Sequence, residues 1–251
     1  TPIGYKTIAR PDSGSLGSYS RSHRFTDSYN YNVTGGLFKN FGAVTTKTRL
    51  RLHYERYEYQ YTSASGGNLT INGVKNLSVV DSEEHDAVGS SQSLTKNIGV
   101  YLTEHVNYKD KYLLDMLVRY DGSSRFGENE RWHPYYRFSA GWRLSEEAFW
   151  TVDDITELKF RFSYGTAGTH PSFSAQYETY GLSSGTLTKD GLGNKLLKPQ
   201  HSEELEIGMN LVYKDRYQFE VIRSLVNTTD QILSVPLPAY SGFPSQVRNA
   251  G

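Results

Sequence analysis

The most restrictive feature of this sequence is a regular alternation of apolar and polar residues that recurs along most of its length. Between residues 92 and 108, for example, Val100 and Leu102 occupy even positions while Gly99 and Thr103 occupy odd ones. Successive side chains of a β-strand point to opposite faces, so this period predicts strands that each have one apolar face. Eight stretches follow the pattern, and we predict strands at 24–37, 47–55, 92–108, 112–120, 132–144, 157–167, 204–213 and 217–221.

The connections between these strands fall into two length classes, which predict two different ends of a sheet. The short turns are 39–42, 108–111 and 214–216, and the longer segments, rich in Gly, Ser, Asn and Asp, are 62–91, 122–131 and 168–201. One longer connection, 145–156, lies on the short-turn side, where we expect Ser145 to begin a helical turn as its N-cap. Short turns at one end and long loops at the other are typical of outer-membrane β-barrels.

Three properties favour such a barrel over a soluble β-sandwich, whose strands also alternate. The regular runs reach 11 to 17 residues, whereas sandwich strands have about five or six and a tilted membrane strand needs about 9 to 11. The polar face is charged along its length, as at Arg49 and Asp115. The apolar face carries few charges, and we expect Lys96 and Glu104 near the band edges, because a mid-membrane charge costs about 2–4 kcal/mol. Aromatic residues at strand ends, such as Trp132, fit interfacial girdles.

Composition excludes several other classes of protein. No stretch approaches the roughly 18 consecutive apolar residues of a membrane helix. The absence of Cys removes disulfides, thiolate metal sites and Cys nucleophiles, and 27 basic against 27 acidic residues give no net charge to attract nucleic acid. No arrangement of residues indicates a catalytic centre. We therefore predict that the chain is not an enzyme, binds no nucleic acid and needs no cofactor.

Several stretches resemble, in the same order, the SusC/RagA family of TonB-dependent outer-membrane transporters. They are RYDGSSRFGENERW (119–132), RFSAGWRLSEEAF (137–149), LKFRFSYGTAGTH (158–170), LKPQHSEELEIGMNL (197–211), DQILSVPLPAYSGF (230–243) and NAG (249–251). The similarity is specific from about 92 to 251, whereas from 1 to 91 it rests on alternation and turns. One departure is His170, where the family pattern usually has Asn.

The resemblance implies an all-β, antiparallel transmembrane barrel of 22 strands in the bacterial outer membrane, with a plug inside and a SusD-like surface lipoprotein outside. We expect residues 1–251 to form about eight consecutive strands of the barrel domain, surrounded by outer-membrane lipid. No plug or TonB-box pattern is visible, so contact with TonB would be made by an N-terminal part that this sequence lacks.

The implied function is TonB-dependent nutrient import, with a glycan (oligosaccharide) or a peptide as the substrate. From the residues alone, a soluble all-β carbohydrate-binding or adhesion module stays open as the alternative.

The long loops contain the candidate contact residues for a ligand or for a lid protein. Aromatic rings there can stack on sugar faces or pack against a partner, although they can equally pack the loops against one another. The candidates are Phe173, Tyr177, Tyr180, Tyr240 and Phe243.

A weak candidate for a metal site is the run DSEEHD, which places Asp81, Glu83, Glu84 and Asp86 close together. Carboxylate oxygens suit hard cations, but the run lacks the glycine and the spacing of an EF-hand loop. A solvated loop is the simpler interpretation, and we predict no metal.

Overall fold

The chain is built almost entirely of β-strands. A computed structural model describes residues 17–69, 71, 74–80, 88–183 and 186–251. Within them, helical structure is limited to single 3-10 turns. None of the described helices is long and apolar enough to cross a membrane. The described residues divide into two compact units, one within 1–28 and 56–94 and the other within 29–55 and 95–251.

The bounds and the pairing of the strands test the prediction made from the alternation of apolar and polar residues. The strands are β1 (Ser18–Phe41), β2 (Val44–Gly67), β3 (Val88–Tyr108), β4 (Tyr112–Ser123), β5 (Trp132–Arg143), β6 (Ile155–Thr169), β7 (Thr179–Ser183), β8 (Thr186–Leu192), β9 (Gln200–Tyr213), β10 (Tyr217–Thr229), β11 (Gln231–Pro236) and β12 (Ser245–Ala250). Eight of these described strands form the main sheet in the order β1-β2-β3-β4-β5-β6-β9-β10. From β3 to β10 every neighbouring pair is antiparallel. The eight predicted strands are therefore confirmed, although all of them except β5 extend beyond the predicted bounds, with β1, β2 and β10 longer by eight residues or more.

A second, four-stranded sheet lies in the long connections, with the order β11-β12-β8-β7. Its strands β12 and β8 pair in parallel through Ser245 with Gly191 and Gln246 with Leu192. The sequence predicted only a loop at 168–201. These strands have five to seven residues, which is too short to give a clear period of two.

The register of the main sheet separates an apolar face from a polar face. Phe162 on β6 lies opposite Ile207 on β9, whereas the next residue, Ser163, lies opposite Glu206. Directly paired residues share a face, so these ladders keep apolar side chains on one side and polar ones on the other. Large apolar side chains on the first face are exposed, with Ile207 at 55%. Contiguous exposed apolar surface of this kind indicates contact with a partner or with lipid.

Charged residues interrupt this pattern at several positions of the described sheet. Glu104 lies opposite Met116, well inside the apolar face, and accepts a hydrogen bond from Thr48 Oγ1 at 2.6 Å. The expectation that Glu104 lies at the edge of the apolar band is therefore wrong. Lys96 lies just beyond the last residue pair of β3 with β4, where its carbonyl accepts a hydrogen bond from Ser124 N. It is therefore level with the loop end of β4, as expected. Arg223 shares the apolar face of β10 and lies beyond the residues used for the strand prediction.

The tight turns have the backbone conformation that hairpins require. Lys109 and Asp110 have φ angles of 53° and 56°, and Lys214 and Asp215 both have 51°. Positive φ at both central residues defines a type I′ turn, whose twist matches that of the strands. Aspartate tolerates this region when its side chain bonds locally, and Asp110 accepts a hydrogen bond from Asn107 Nδ2 at 2.5 Å.

The connection after β5 begins with a 3-10 turn at Leu144–Glu146. A helical turn was predicted within 145–156, but its N-cap is Arg143, which makes no side-chain capping bond. The prediction that Ser145 caps it is therefore wrong, since Ser145 lies inside the turn and its Oγ finds no partner among the described residues.

A carboxylate organises this connection instead. Glu147 accepts hydrogen bonds from the Tyr112 hydroxyl at 2.6 Å and from Trp142 Nε1 at 3.0 Å. Lys111 Nζ approaches its other oxygen at 3.2 Å. These donors, with Tyr112 the strongest, lower the pKa of Glu147 to about 2. Glu147 thus joins the connection after β5 to β4, to β5 and to the turn between β3 and β4.

Candidate ligand-contacting surfaces

The polar face of the main sheet, called the polar wall below, is lined by charged and polar side chains that pair with one another. Arg119 lies 2.5 Å from Asp121, and His105 Nδ1 lies 2.7 Å from Asp115 Oδ1. These side chains satisfy one another through hydrogen bonds. Such a surface is stable in contact with water and would be costly to place in hydrocarbon.

Small residues on the polar wall leave depressions between the charged side chains. One depression is lined by Asp115, Ser139, Gly141 and Arg161, among others. Gly208 lies on the strand between Arg161 and Glu220, and a Cβ there would stand 3.4 Å from Arg161 Nη2. The glycine therefore leaves room for Arg161 to reach across β9 and pair with Glu220.

Several buried polar atoms of this wall have no hydrogen-bond partner among the described residues. They are Asn97 Oδ1, Arg119 Nε, Asp121 Oδ1 and Arg161 Nε. Buried polar groups are nearly always satisfied in native proteins, by protein or by ordered water. These atoms therefore leave hydrogen-bonding capacity for ordered water.

At the loop end, the turn DGSSRFG (121–127) encloses a small apolar core. Phe126 is 2% exposed and Leu197 is 0% exposed. A Cβ at Gly127 would lie 1.9 Å from the carbonyl oxygen of Lys195, so only glycine permits this close approach. The turn after β4 and the connection before β9 are packed against each other at this point.

Side-chain amides tie the second sheet to the same connection. Asn249 exchanges two hydrogen bonds of 2.9 Å with the backbone of Lys198, and Gln246 Nε2 donates to the carbonyl of Gly193 at 2.9 Å. We call residues 170–200 and 231–250 the loop platform. Its parts are distant in sequence, and these bonds fix them to one another.

His170, the departure from the family pattern, takes part in the core of the platform. Its ring centroid lies 5.5 Å from that of Phe126. Burial lowers its pKa, and the nearby charge of Arg125 acts in the same direction. A neutral ring therefore fills space beside Phe126.

The structure separates the five candidate loop residues into exposed and packed ones. Tyr177 is 48% exposed, Tyr180 is 49% exposed and Tyr240, on the 3-10 turn Ala239–Ser241, is 92% exposed. Phe173 is half-buried and its ring centroid lies 5.8 Å from that of Tyr177. The three tyrosines have the free ring area that stacking on a ligand would need.

Phe243, by contrast, is buried. Its ring lies 6.1 Å from that of Tyr180, and Lys189 Nζ stands 4.5 Å from its centroid. This position fits the second interpretation of the loop aromatics, in which they pack loops together. The sequence did not single out Lys189 or Phe126, because neither belongs to a periodic pattern.

The described residues form no candidate metal centre. No group of three or more His, Asp or Glu side chains among them could hold a metal ion. The weak candidate Asp81, Glu83, Glu84 and Asp86 lies outside the described residues. The letters GLSSG at 181–185 match a nucleophile-elbow pattern, but residues 181–183 form the end of β7 in a hairpin and not a strand-to-helix turn.

Comparison with known proteins gives a consistent result. Residues 3–251 match the family described as TonB dependent receptor-like, beta-barrel. The chain is 28% identical over 251 residues to TonB-dependent receptor P39 of Formosa agariphila, covering 96% of this chain and 24% of the relative. It is 29% identical over 154 residues to TonB-dependent receptor SusC of Bacteroides thetaiotaomicron, covering 53% of this chain and 15% of the relative.

Solved structures agree on the fold. The RagAB peptide transporter superposes with a TM-score of 0.80 at 20% identity, covering 92% of this chain and 27% of that one. The outer membrane transporter YddB of Escherichia coli superposes with a TM-score of 0.62 at 13% identity, covering 91% and 29%. The chain thus spans about a quarter of the length of the P39 relative and of the RagAB chain.

Proposed function

The chain belongs to the TonB-dependent receptor-like β-barrel family, and on that premise we propose that it forms eight consecutive strands in the wall of an outer-membrane nutrient importer. Its family consists of outer-membrane receptors and transporters and not of enzymes, and its likeness to SusC and RagA bears out the resemblance noted in the sequence. The soluble carbohydrate-binding or adhesion module is excluded by this family.

One observation supports the proposal most strongly, namely the two chemically opposite faces of a single sheet. The apolar face exposes large side chains such as Val118, at 53%, and Phe219, at 56%. The polar wall behind it carries ion pairs such as Arg119 with Asp121. A lipid-facing exterior and a water-filled interior account for both faces at once.

For the whole protein we propose TonB-dependent uptake of an oligosaccharide or a peptide, received from a SusD-like surface lipoprotein. Residues 1–251 would all be barrel, and the plug and the TonB contact would lie elsewhere in the protein. On the loop platform, Tyr177, Tyr180 and Tyr240 would contact cargo or lipoprotein, while Phe173 and Phe243 would support them. This chain would bind the cargo and let it pass, and it would carry out no covalent chemistry.

The proposal is tested by deleting the gene of the full-length protein and measuring growth and uptake with oligosaccharides and with peptides as sole carbon sources. We expect uptake of one class to be lost and restored by the intact gene. The triple variant Tyr177→Ala, Tyr180→Ala, Tyr240→Ala should weaken uptake of that class, while Tyr217→Phe, far from the loops, should not. Unchanged uptake of both classes after deletion would contradict the proposed function.

A further inference from the structure

The short-turn end contains the same five-residue pattern twice. Residues 108–112 read Tyr-Lys-Asp-Lys-Tyr, and residues 213–217 read Tyr-Lys-Asp-Arg-Tyr. Both form type I′ turns with positive φ at the Lys-Asp pair. In both, the flanking tyrosines are direct cross-strand partners.

The side chains of the two turns are also arranged alike. The Tyr108 and Tyr112 ring centroids lie 6.0 Å apart, and those of Tyr213 and Tyr217 lie 6.5 Å apart, both stacked with an interplanar angle of 27°. The ammonium of Lys109 lies 5.3 Å from the Tyr108 ring centroid, and that of Lys214 lies 5.3 Å from the Tyr213 centroid. A recurring tyrosine pair with a cation over one ring is therefore built into two separate hairpins.

Each turn has one cation that is paired with a neighbouring connection. Lys111 Nζ lies 3.2 Å from Glu147, and Lys214 Nζ lies 3.4 Å from Asp154. Within the described part of the chain, the exposed Lys109 and Arg216 have no carboxylate partner. Each turn thus presents at least one cation that is free to bind an external anion.

Backbone hydrogen bonds hold these turns in place beside their neighbours. Lys109 N donates to Ala43 O at 2.8 Å, and Arg143 N donates to Lys111 O at 2.8 Å. Lys214 N donates to Asp154 O at 2.7 Å. Neighbouring connections at the short-turn end are therefore hydrogen-bonded to one another. These bonds fix how far the cations extend beyond the paired tyrosines along the strand direction.

The tyrosines indicate which part of the membrane these cations meet. Tyrosine is enriched at the headgroup level of both membrane interfaces, and the paired tyrosines lie at the ends of the apolar face. The cations follow immediately beyond them, at the depth of the lipid phosphates. Lysine and arginine near a membrane surface are attracted to anionic headgroups.

We propose that the two Tyr-Lys-Asp-(Lys/Arg)-Tyr turns bind the phosphates of glycerophospholipids in the leaflet at the short-turn end of the barrel. Lys109 and Arg216 supply the charge, and the stacked tyrosines contact the glycerol region. The inference rests on the membrane orientation in the proposed function, but its test measures lipid binding and not uptake, so the two can fail separately.

The test uses the purified full-length protein in detergent, titrated with phosphatidylglycerol or phosphatidylethanolamine and analysed by native mass spectrometry. The turn variant carries two substitutions, Lys109→Gln and Arg216→Gln. We expect about five-fold weaker lipid binding at each turn whose cation is removed, so the double variant should bind phospholipid about five-fold more weakly at both turns. A matched control, Lys195→Gln with Lys198→Gln, removes two exposed cations at the loop end and should bind both lipids as the original protein does.

A diacylglycerol of equal chain length lacks the phosphate and should bind all three proteins alike. Folding of each variant is checked by the heat-dependent shift of its mobility on gels. The proposal is overturned if the turn variant folds and keeps full phospholipid binding, or if the loop-end control loses binding to the same extent.

Discussion

Replacing Phe162 with arginine puts a charge on the apolar face at about half its height. Phe162 lies opposite Ile207, which is six residues from Tyr213 at the short-turn end of β9. Six residues at about 3.4 Å rise, on a strand tilted about 45°, place it about 14 Å above that end. Since the apolar band of such barrels is about 25 Å tall, this is close to the midplane, where arginine costs about 2–4 kcal/mol.

The adjacent residue provides the matched control. Ser163 lies on the polar wall opposite Glu206, and its hydroxyl lies 3.0 Å from that of Ser139. Arginine at this position meets water and a carboxylate, so Ser163→Arg should change stability by about 1 kcal/mol or less. Phe162→Leu separates the loss of the ring, which lies 6.3 Å from Phe138, from the effect of the charge.

The assay is reversible urea unfolding of the full-length protein in lipid vesicles, followed by tryptophan fluorescence. Phe162→Arg should lower the folding equilibrium constant by about 30-fold to several hundred-fold, while Phe162→Leu and Ser163→Arg stay within about ten-fold. Equal losses for Phe162→Arg and Ser163→Arg would refute the assignment of the faces. Met116 is a poorer site for this comparison, because Glu104 lies opposite it and could pair with the new charge.

Two further predictions concern the ends of the barrel. The folded pKa of Glu147 is about 2 against an ordinary 4.5, so its stabilising effect is complete above about pH 4.5 and is lost as the pH falls towards 2. Glu147→Gln should therefore flatten this part of the curve of unfolding free energy against pH. An unchanged curve would argue against a role for the carboxylate. A Cβ at Gly127 would lie 1.9 Å from the Lys195 carbonyl oxygen, whereas one at Gly35 would meet nothing within 4 Å. Gly127→Ala should therefore displace the connection that contains Lys195 and speed protease cleavage within 186–198. Gly35→Ala should leave the cleavage rate unchanged.

The alternation predicted the main sheet well because one face of each long strand is selected against charge and the other accepts it. A strand of 12 to 15 residues, such as β4 or β6, repeats that selection often enough to be recognised. The same logic failed at Glu104, where a hydrogen bond from Thr48 satisfies one carboxylate oxygen locally. Arg223 shows that the apolar face tolerates an occasional charge that no short pattern reveals.

The loop end could not be predicted in the same way. Its order comes from single long-range contacts, such as Asn249 with the backbone of Lys198 and Gly127 with the Lys195 carbonyl. Such contacts leave no periodic trace in the sequence, although glycines within polar loops are a weak sign of close backbone approach. Of the candidate site residues, the sequence located the exposed tyrosines but could not tell that Phe243 is buried.

The most direct test of the two-faced wall is a cysteine scan along β9 in the full-length protein, after removal of any cysteine it has elsewhere. A nitroxide on each cysteine reports collisions with oxygen, which is enriched in lipid, and with a water-soluble nickel chelate. We predict lipid exposure at Leu205, Ile207, Met209 and Leu211, and water exposure at Glu204, Glu206, Gly208 and Asn210. A profile without a period of two, or one with the two faces exchanged, would contradict the account.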